Sequence, residues 1–163
     1  MKRALKNLTT TRFALCRAFP KTVLDALEEA IRNSENQHGG EIRFAVETAL
    51  DIGQLWHGVT ARDEAVLAFA DLRVWDTAKN CGVLIYVLLA EHAIEIVADR
   101  GYDGCVSEAE WRTVCSTMEA AFADRQFARG SLDAVAAVAH IIQAHFPYDA
   151  GGTNELPDRP VLL

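Results

Sequence analysis

One apolar run limits the fold of this 163-residue chain more than any other feature. Residues 83–89 read Val-Leu-Ile-Tyr-Val-Leu-Leu. The run is too short to cross a membrane, and unbroken hydrophobicity of this length is typical of a strand that is covered on both faces. Glu91-His92 marks a tight turn, and the apolar residues 93–98 predict a hairpin partner. The chain therefore needs a sheet with helices packed on both faces.

The remaining periodicity predicts an α/β fold with the element order α-α-β-α-β-β-α-α. Residues 41–50 alternate between apolar and polar, which favours an outer strand or one with an exposed face. Residues 53–59 are predicted to be mainly loop. Four of the predicted helices begin with a residue suited to N-capping, namely Thr22, Thr60, Ser107 and Ser131. Since a strand–helix–strand unit implies parallel pairing, we expect a small mixed sheet of three to four strands.

The length suits one domain with a substantial core. We place this domain at residues 1–147, because Pro147 stops the last predicted helix. Residues 148–163 contain two adjacent glycines and two prolines. They are therefore predicted to form an extended or partly disordered C-terminal tail.

Charge and cysteine usage restrict the partners. The net charge of -7 argues against nucleic acid, which requires a basic surface. The four cysteines have no zinc-type spacing and are interpreted as reduced core residues. No segment is long enough to span a bilayer, and Thr9-Thr10-Thr11-Arg12 interrupts the apolar core that a signal peptide requires. We therefore expect a cytoplasmic protein.

The N-terminal 21 residues differ from the rest of the chain. They contain six basic residues and no acidic one, namely Lys2, Arg3, Lys6, Arg12, Arg17 and Lys21. A basic amphipathic segment is typical of peripheral contact with an anionic membrane, and a solvated helix face is the alternative interpretation.

The predicted topology brings three polar loops to one edge of the sheet, where the first two strands start and the third ends. Metal ligation by carboxylates is predicted there for Glu41, Asp76, Asp99 and Asp103, and further binding roles for His38, Asn80 and Arg100. Carboxylate and amide oxygens suit Ca²⁺ or Mg²⁺. The alternative is that these are turn and cap residues that happen to be acidic. EF-hand spacing is absent from the sequence.

No known catalytic signature accompanies these loops. The sequence contains neither a G-x-x-x-x-G-K-[ST] phosphate loop nor a G-x-S-x-G elbow. Cys105 is followed six residues later by Trp111, where a cysteine-dependent phosphatase requires arginine. The catalytic residues are therefore not assigned.

Several segments resemble the TPM domain family, also called the TPM phosphatase domain, in its soluble bacterial branch. The resemblance lies in residues 38–43 (His-Gly-Gly-Glu-Ile-Arg), 82–86 (Gly-Val-Leu-Ile-Tyr), 95–101 (Glu-Ile-Val-Ala-Asp-Arg-Gly) and 154–160 (Asn-Glu-Leu-Pro-Asp-Arg-Pro), with Asp76-Thr77 between the first two. The family's Gly-x-Gly-Leu-Glu-Gly loop corresponds to residues 99–104, where Asp103 replaces the glutamate.

This resemblance implies an α/β sandwich, divalent-cation binding and an acid phosphatase activity that has been proposed for a plant member. Two functions follow as expectations. The first is a divalent-cation-binding module that acts through a protein partner. The second is a metal-assisted phosphatase in which the ion polarises a phosphomonoester and activates water.

Overall fold

The structure is a computed structural model that describes residues 2–148 and 153–163. Seven α-helices lie within these residues: α1 (Lys2–Thr9), α2 (Arg12–Ala18), α3 (Lys21–Glu35), α4 (Ile52–Trp56), α5 (Ala61–Asp71), α6 (Glu108–Ala123) and α7 (Phe127–His145). The strands are β1 (Glu41–Glu47), β2 (Gly82–Leu88), β3 (Ala93–Ala98) and β4 (Val161–Leu162).

The four strands form one mixed sheet in the order β3-β2-β1-β4. Strands β1 and β2 are parallel, with Glu41 opposite Gly82, whereas β3 returns antiparallel to β2, with Ala98 opposite Val83. Strand β4 adds a short parallel pairing on the other side of β1. These pairings confirm the α/β class and the mixed sheet.

Alternate residues of the strands face two separate cores. Val83, Ile85 and Val87 of β2 pack in the cluster formed with α2, α3, α6 and α7. Leu84, Tyr86 and Leu88 pack in the opposite cluster, with α5. Every residue of β2 is buried, as the unbroken apolar run predicts. Helices therefore cover both faces of the sheet.

The predicted outer position of the first strand is wrong. Strand β1 lies between β2 and β4, and its first six residues are buried. Two of its three polar residues, Glu41 and Arg43, are buried because they bind the backbone of residues 155–159. A pattern that is typical of exposure here marks a polar interface within the protein.

The structure confirms the predicted capping residues of two helices. Thr60 with Asp63 and Ser107 with Glu110 each form a capping box at the start of α5 and α6. Residues 53–59 instead contain most of α4, since Asp51 and Gln54 form a third box.

Two other predicted caps are wrong. Helix α7 begins at Phe127, so Ser131 is buried inside it. Helix α3 begins at Lys21, one residue before the predicted cap Thr22, and follows Pro20, whose φ of -65° suits a helix start.

The C-terminal segment 153–163 packs against the domain. Leu156 is buried in the α5-side cluster, and Leu163 donates its N–H to the Val46 carbonyl at 2.8 Å. The division into a domain at 1–147 and a tail at 148–163 stays a prediction. Residues 2–148 and 153–163 contain no helix with the length and apolar character that a bilayer crossing requires.

Candidate functional site

The three predicted loops lie at one edge of the sheet, because β1 and β2 start there and β3 ends there. Asn80 and Arg100 connect two of them. The Arg100 Nε donates to Asn80 Oδ1 at 2.9 Å, and the Gly101 N–H donates to the Asn80 carbonyl at 3.0 Å. Asn80 adopts a left-handed conformation with φ of 51°, which asparagine tolerates better than most residues. These contacts hold the loops before β2 and after β3 together.

Asp99 starts the turn after β3. Its Oδ1 accepts the Arg100 N–H at 2.7 Å, as in a helix cap. Its Oδ2 is buried and has no hydrogen-bond partner among the described residues. One carboxylate oxygen of Asp99 therefore caps the turn, and the other has no hydrogen-bond partner among the described residues.

The other two aspartates of the predicted set lie at the surface. Asp76 is exposed, and its Oδ2 lies 3.9 Å from an Arg73 nitrogen. Asp103 is exposed in the turn that follows Arg100. No group of three or more His, Cys, Asp and Glu side chains is arranged to hold a metal ion within residues 2–148 and 153–163. Ligation by Glu41, Asp76, Asp99 and Asp103 thus stays a prediction.

Glu41 belongs to a separate cleft of about 450 Å³ between the end of α3, the start of β1 and residues 153–158. We call this the acidic cleft. Its carboxyl groups come from Glu35, Glu41, Glu155 and Asp158, and its lining also includes Arg32, His38 and Lys79. Four carboxyl groups therefore share one cleft with two basic side chains and an imidazole.

Glu41 binds the C-terminal segment directly. Its Oε1 accepts the Glu155 N–H at 3.1 Å, and its Oε2 accepts the Leu156 N–H at 3.2 Å. Burial raises the pKa of Glu41; the two N–H donors oppose this, and the negative charges of Glu155 and Asp158 add to it. The carboxylate thus supplies acceptors for two backbone N–H groups of a segment that lies outside the strands.

Glu35, at the end of α3, is the most perturbed carboxyl group of the acidic cleft. Burial raises its pKa to about 8, the Ile42 N–H at 3.0 Å lowers it, and the charges of Glu41 and Asp158 raise it. Asp158 itself accepts from Arg32 Nε at 3.1 Å and from Asn154 Nδ2 at 2.5 Å. Glu35 is therefore mostly protonated at pH 7, and it lies beside the carboxyl group of Asp158.

His38 is buried at the side of the same cleft, with 3% of its surface exposed. Its Nδ1 accepts the Gly40 N–H at 3.4 Å, and its Nε2 has no partner among the described residues. Burial lowers the pKa of His38, so the ring is neutral at pH 7. A neutral imidazole with one unpaired nitrogen thus lies beside the carboxyl groups.

Arg43 is a site residue that no sequence motif indicates. Its guanidinium donates to the Pro157 carbonyl, and to the Arg159 carbonyl at 3.2 Å. Burial lowers its pKa, whereas Asp158 and Glu35 raise it. Glu35 and Asp158 were also missing from the predicted ligands. Their proximity depends on contacts between residues more than 100 positions apart, for which the sequence offers no local signal.

The basic N-terminal segment is attached to the domain by polar contacts. Arg3 Nε lies 2.7 Å from Glu91 Oε1, and Asn7 Oδ1 accepts the Leu50 N–H at 2.8 Å. The opposite side of α1 exposes Leu5 and Leu8. Peripheral contact with a membrane through this segment stays a prediction.

A solved NMR structure, that of the BA42 protein from the psychrophilic bacterium Bizionia argentinensis, is similar to this fold. The two are 27% identical, with 87% of this chain and 93% of that chain covered at a TM-score of 0.76. The N-terminal domain of the cg2496 protein from Corynebacterium glutamicum is 12% identical, with coverage of 82% and 77% and a TM-score of 0.49. A search of curated proteins found no match.

The family comparison agrees with the segments that carry the resemblance. The model of the TPM domain matches residues 17–141, which contain β1, β2, β3, α3, α4, α5, α6 and most of α7. The match covers more than half of the chain and includes both strands that start at the candidate site. The chain therefore belongs to the TPM domain family.

Proposed function

We propose that this TPM-domain chain is a divalent-cation-binding interaction module, with the ion in the acidic cleft. The observation that carries the proposal is the grouping of Glu35, Glu41 and Asp158. Asn154 Nδ2 lies 3.4 Å from Glu35 Oε2 and 2.5 Å from Asp158 Oδ1, which brings these two carboxyl groups together. Burial, and then the charges of Glu41 and Asp158, raise the pKa of Glu35. A cation that replaces the Glu35 proton would be stabilised by the same negative charges.

The coordination chemistry favours a partly hydrated ion. Mg²⁺ retains several waters and uses one or two carboxylates, whereas Ca²⁺ accepts a larger and more flexible set of oxygen ligands. The pair Glu35 and Asp158 supplies the two carboxylates, and waters complete the shell. This arrangement does not require the three-ligand group that is absent from the described residues.

The test is a titration of CaCl₂ and MgCl₂ followed through backbone amide NMR shifts. We expect shifts at residues 35–42 and 153–158, with affinity reduced at least about tenfold in Asp158→Asn, since a charged ligand is lost. The matched control is Asp99→Asn, which changes the loop carboxylate outside the cleft and should bind as the wild type does. If the shifts disappear in Asp99→Asn, the ion binds at the loop after β3 and not in the acidic cleft. No shift in the cleft or in this loop would refute cation binding.

Proton release gives an independent measurement. Because Glu35 is mostly protonated at pH 7, ion binding should release close to one proton. Calorimetry in two buffers of different ionisation enthalpy measures this number. Glu35→Gln, which cannot release the proton, should reduce it to near zero. Equal proton release in both proteins would contradict the assignment of the ion to this cleft.

Metal-assisted hydrolysis of phosphomonoesters is the alternative, and His38 is the observation that favours it. Because His38 Nδ1 accepts the Gly40 N–H, the neutral ring carries its proton on the unpaired Nε2 and could donate a hydrogen bond to a phosphoryl oxygen of the metal-bound substrate. Purified protein with Mg²⁺ should then release phosphate from p-nitrophenyl phosphate, and His38→Ala should reduce the rate at least about 100-fold. His57→Ala is the control, since His57 is exposed. Release that His38→Ala leaves unchanged would refute this alternative.

Exposed apolar side chains support the interaction role. Trp56 is 87% exposed and Phe13 is 77% exposed, and large aromatic side chains are frequent in interfaces.

We also propose a cytoplasmic location, because Cys16, Cys81, Cys105 and Cys115 are free thiols of the kind that a reducing compartment maintains.

A further inference from the structure

A second cleft, of about 430 Å³, lies between α2, the turn after β2 and the junction of α6 and α7. We call this the basic cleft. Its polar lining includes Arg17, His92 and Arg125, and its apolar lining includes Ala14, Leu89 and Phe127. No acidic residue lines it within the part of the chain that the structure describes. This is unusual for a chain with a net charge of -7.

The positive charges of the basic cleft are not neutralised by neighbouring residues. The guanidinium groups of Arg17 and Arg125 make no hydrogen bond or ion pair with the described residues. Two acidic residues adjoin the lining residues in the sequence. Glu91 is bound by Arg3 at 2.7 Å and by Asn7 at 2.9 Å, and Asp124 is exposed and forms no ion pair with the neighbouring Arg125. Burial, Lys6 and Arg125 together lower the pKa of His92, which shows that cationic groups surround this ring. The cleft therefore attracts anions.

The backbone of the cleft is strained at two of its polar residues. His92 and Arg125 have φ of 52° and 59°, in the left-handed region that favours glycine. They are two of the four such non-glycine residues in residues 2–148 and 153–163. Arg125 adopts this conformation because it ends α6 in a Schellman motif, in which its N–H donates to the Phe122 carbonyl at 2.9 Å. The His92 ring packs edge-to-face on Phe127, with centroids 5.9 Å apart. The helix end thus fixes the backbone of Arg125 at the cleft, and the contact with Phe127 holds the His92 ring there.

We propose that the basic cleft binds a phosphate group, carried by a soluble phosphoester or by a phospholipid headgroup. Arginine suits phosphate because its planar guanidinium donates two parallel hydrogen bonds to it. Arg17 and Arg125 supply the two guanidinium groups, and His92 supplies a further ring nitrogen. Leu89 and Phe127 provide an apolar surface for the organic group that carries the phosphate. This site is separate from the acidic cleft and does not depend on cation binding there.

The test is a titration of inorganic phosphate at constant ionic strength, followed through backbone amide NMR shifts. We expect shifts at residues 89–92 and 125–127. The informative variant is Arg125→Gly, because glycine suits the φ of 59° while the guanidinium is lost. Its melting temperature should equal or exceed that of the wild type, and its affinity for phosphate should fall at least fivefold.

Arg73→Gly is the matched control. Arg73 has the same backbone conformation, with φ of 54°, and the same charge, but it does not line the basic cleft. This variant should bind phosphate as the wild type does. Equal affinity in Arg125→Gly and Arg73→Gly would overturn the proposal. Shifts that NaCl reproduces at equal ionic strength would also overturn it.

Vesicles distinguish the two sources of the phosphate. A phospholipid headgroup is the ligand if the protein co-sediments with phosphatidic acid vesicles but not with phosphatidylcholine vesicles. In that case co-sedimentation should be lost in Arg125→Gly and retained in Arg73→Gly. Phosphate binding without co-sedimentation would support the site and assign a soluble phosphoester. Co-sedimentation that is equal in both variants, without phosphate shifts, would overturn the cleft as the binding site.

Discussion

The raised pKa of Glu35 makes stability depend on pH in a direction opposite to that of most paired carboxylates. Its folded-state pKa is about 8, against an ordinary value of 4.5. Between these values the folded protein keeps a proton that the unfolded chain has lost. Stability is therefore fully present below about pH 4.5 and declines as the pH rises towards 8. Glu35→Gln mimics the protonated group and should remove this dependence.

The magnitude follows from the two pKa values. Each pH unit in this window corresponds to about 1.4 kcal/mol, and the partial ionisation near each limit reduces the sum. From pH 5 to pH 8 the wild type should lose about 3 to 4 kcal/mol through Glu35. This is a large part of the roughly 5–15 kcal/mol that stabilises a typical domain. The variant should nearly equal the wild type at pH 5 and exceed it by about this amount at pH 8.

Urea unfolding at pH 5, 6, 7 and 8 measures the effect, without divalent ions so that the acidic cleft is not occupied. Glu41 and Glu47 also have raised pKa values, so the wild-type curve alone would not isolate Glu35. The difference between the two proteins does isolate it, because the other groups are common to both. Parallel curves for wild type and Glu35→Gln between pH 5 and pH 8 would refute the reasoning.

Two further substitutions test the packing that builds the site. Leu156→Ala should cost about 2–5 kcal/mol in urea unfolding, since it removes a buried anchor of the C-terminal segment, and a cost below about 1 kcal/mol would show that this segment is dispensable. Gly82→Ala should reduce the melting temperature far more than Gly104→Ala, because its Cβ would meet the Val74 carbonyl oxygen, whereas Gly104→Ala has open space and costs only the strain of its φ of 73°. Equal melting temperatures would contradict the close approach at Gly82.

Local signals explain most of what could be predicted. The capping boxes at Thr60 and Ser107 involve groups three residues apart, so the sequence displays them directly. The same logic applies at Asp51, although the neighbouring Gly53 favours a loop prediction. Ser131 shows the limit of such signals. It has the right residue type for a cap, but the packing of α7 against α6 places it within a longer helix.

The candidate site was predicted in part. The convergence of three loops at one edge follows from strand order alone, and Glu41 and His38 do lie in one cleft there. The same strand order also predicts Asp76, Asp99 and Asp103 beside them, because topology carries no information on side-chain contacts. In the structure Glu41 turns towards the C-terminal segment, while Asp99 caps its own turn. Topology places residues at an edge, but side-chain partners decide which of them share a cavity.

The sequence by itself determined the sheet, because an apolar run as short as residues 83–89, rich in β-branched and aromatic side chains, favours a covered strand over a buried helix. Only the tertiary structure decided the meaning of Glu41 and Arg43. Their partners in the C-terminal segment lie 114 and 116 residues away, and no local pattern encodes a contact at that distance. An alternating strand looks the same whether its polar face meets water or a segment of its own chain. The difference arises because the folded protein replaces water with backbone groups as the hydrogen-bonding partners.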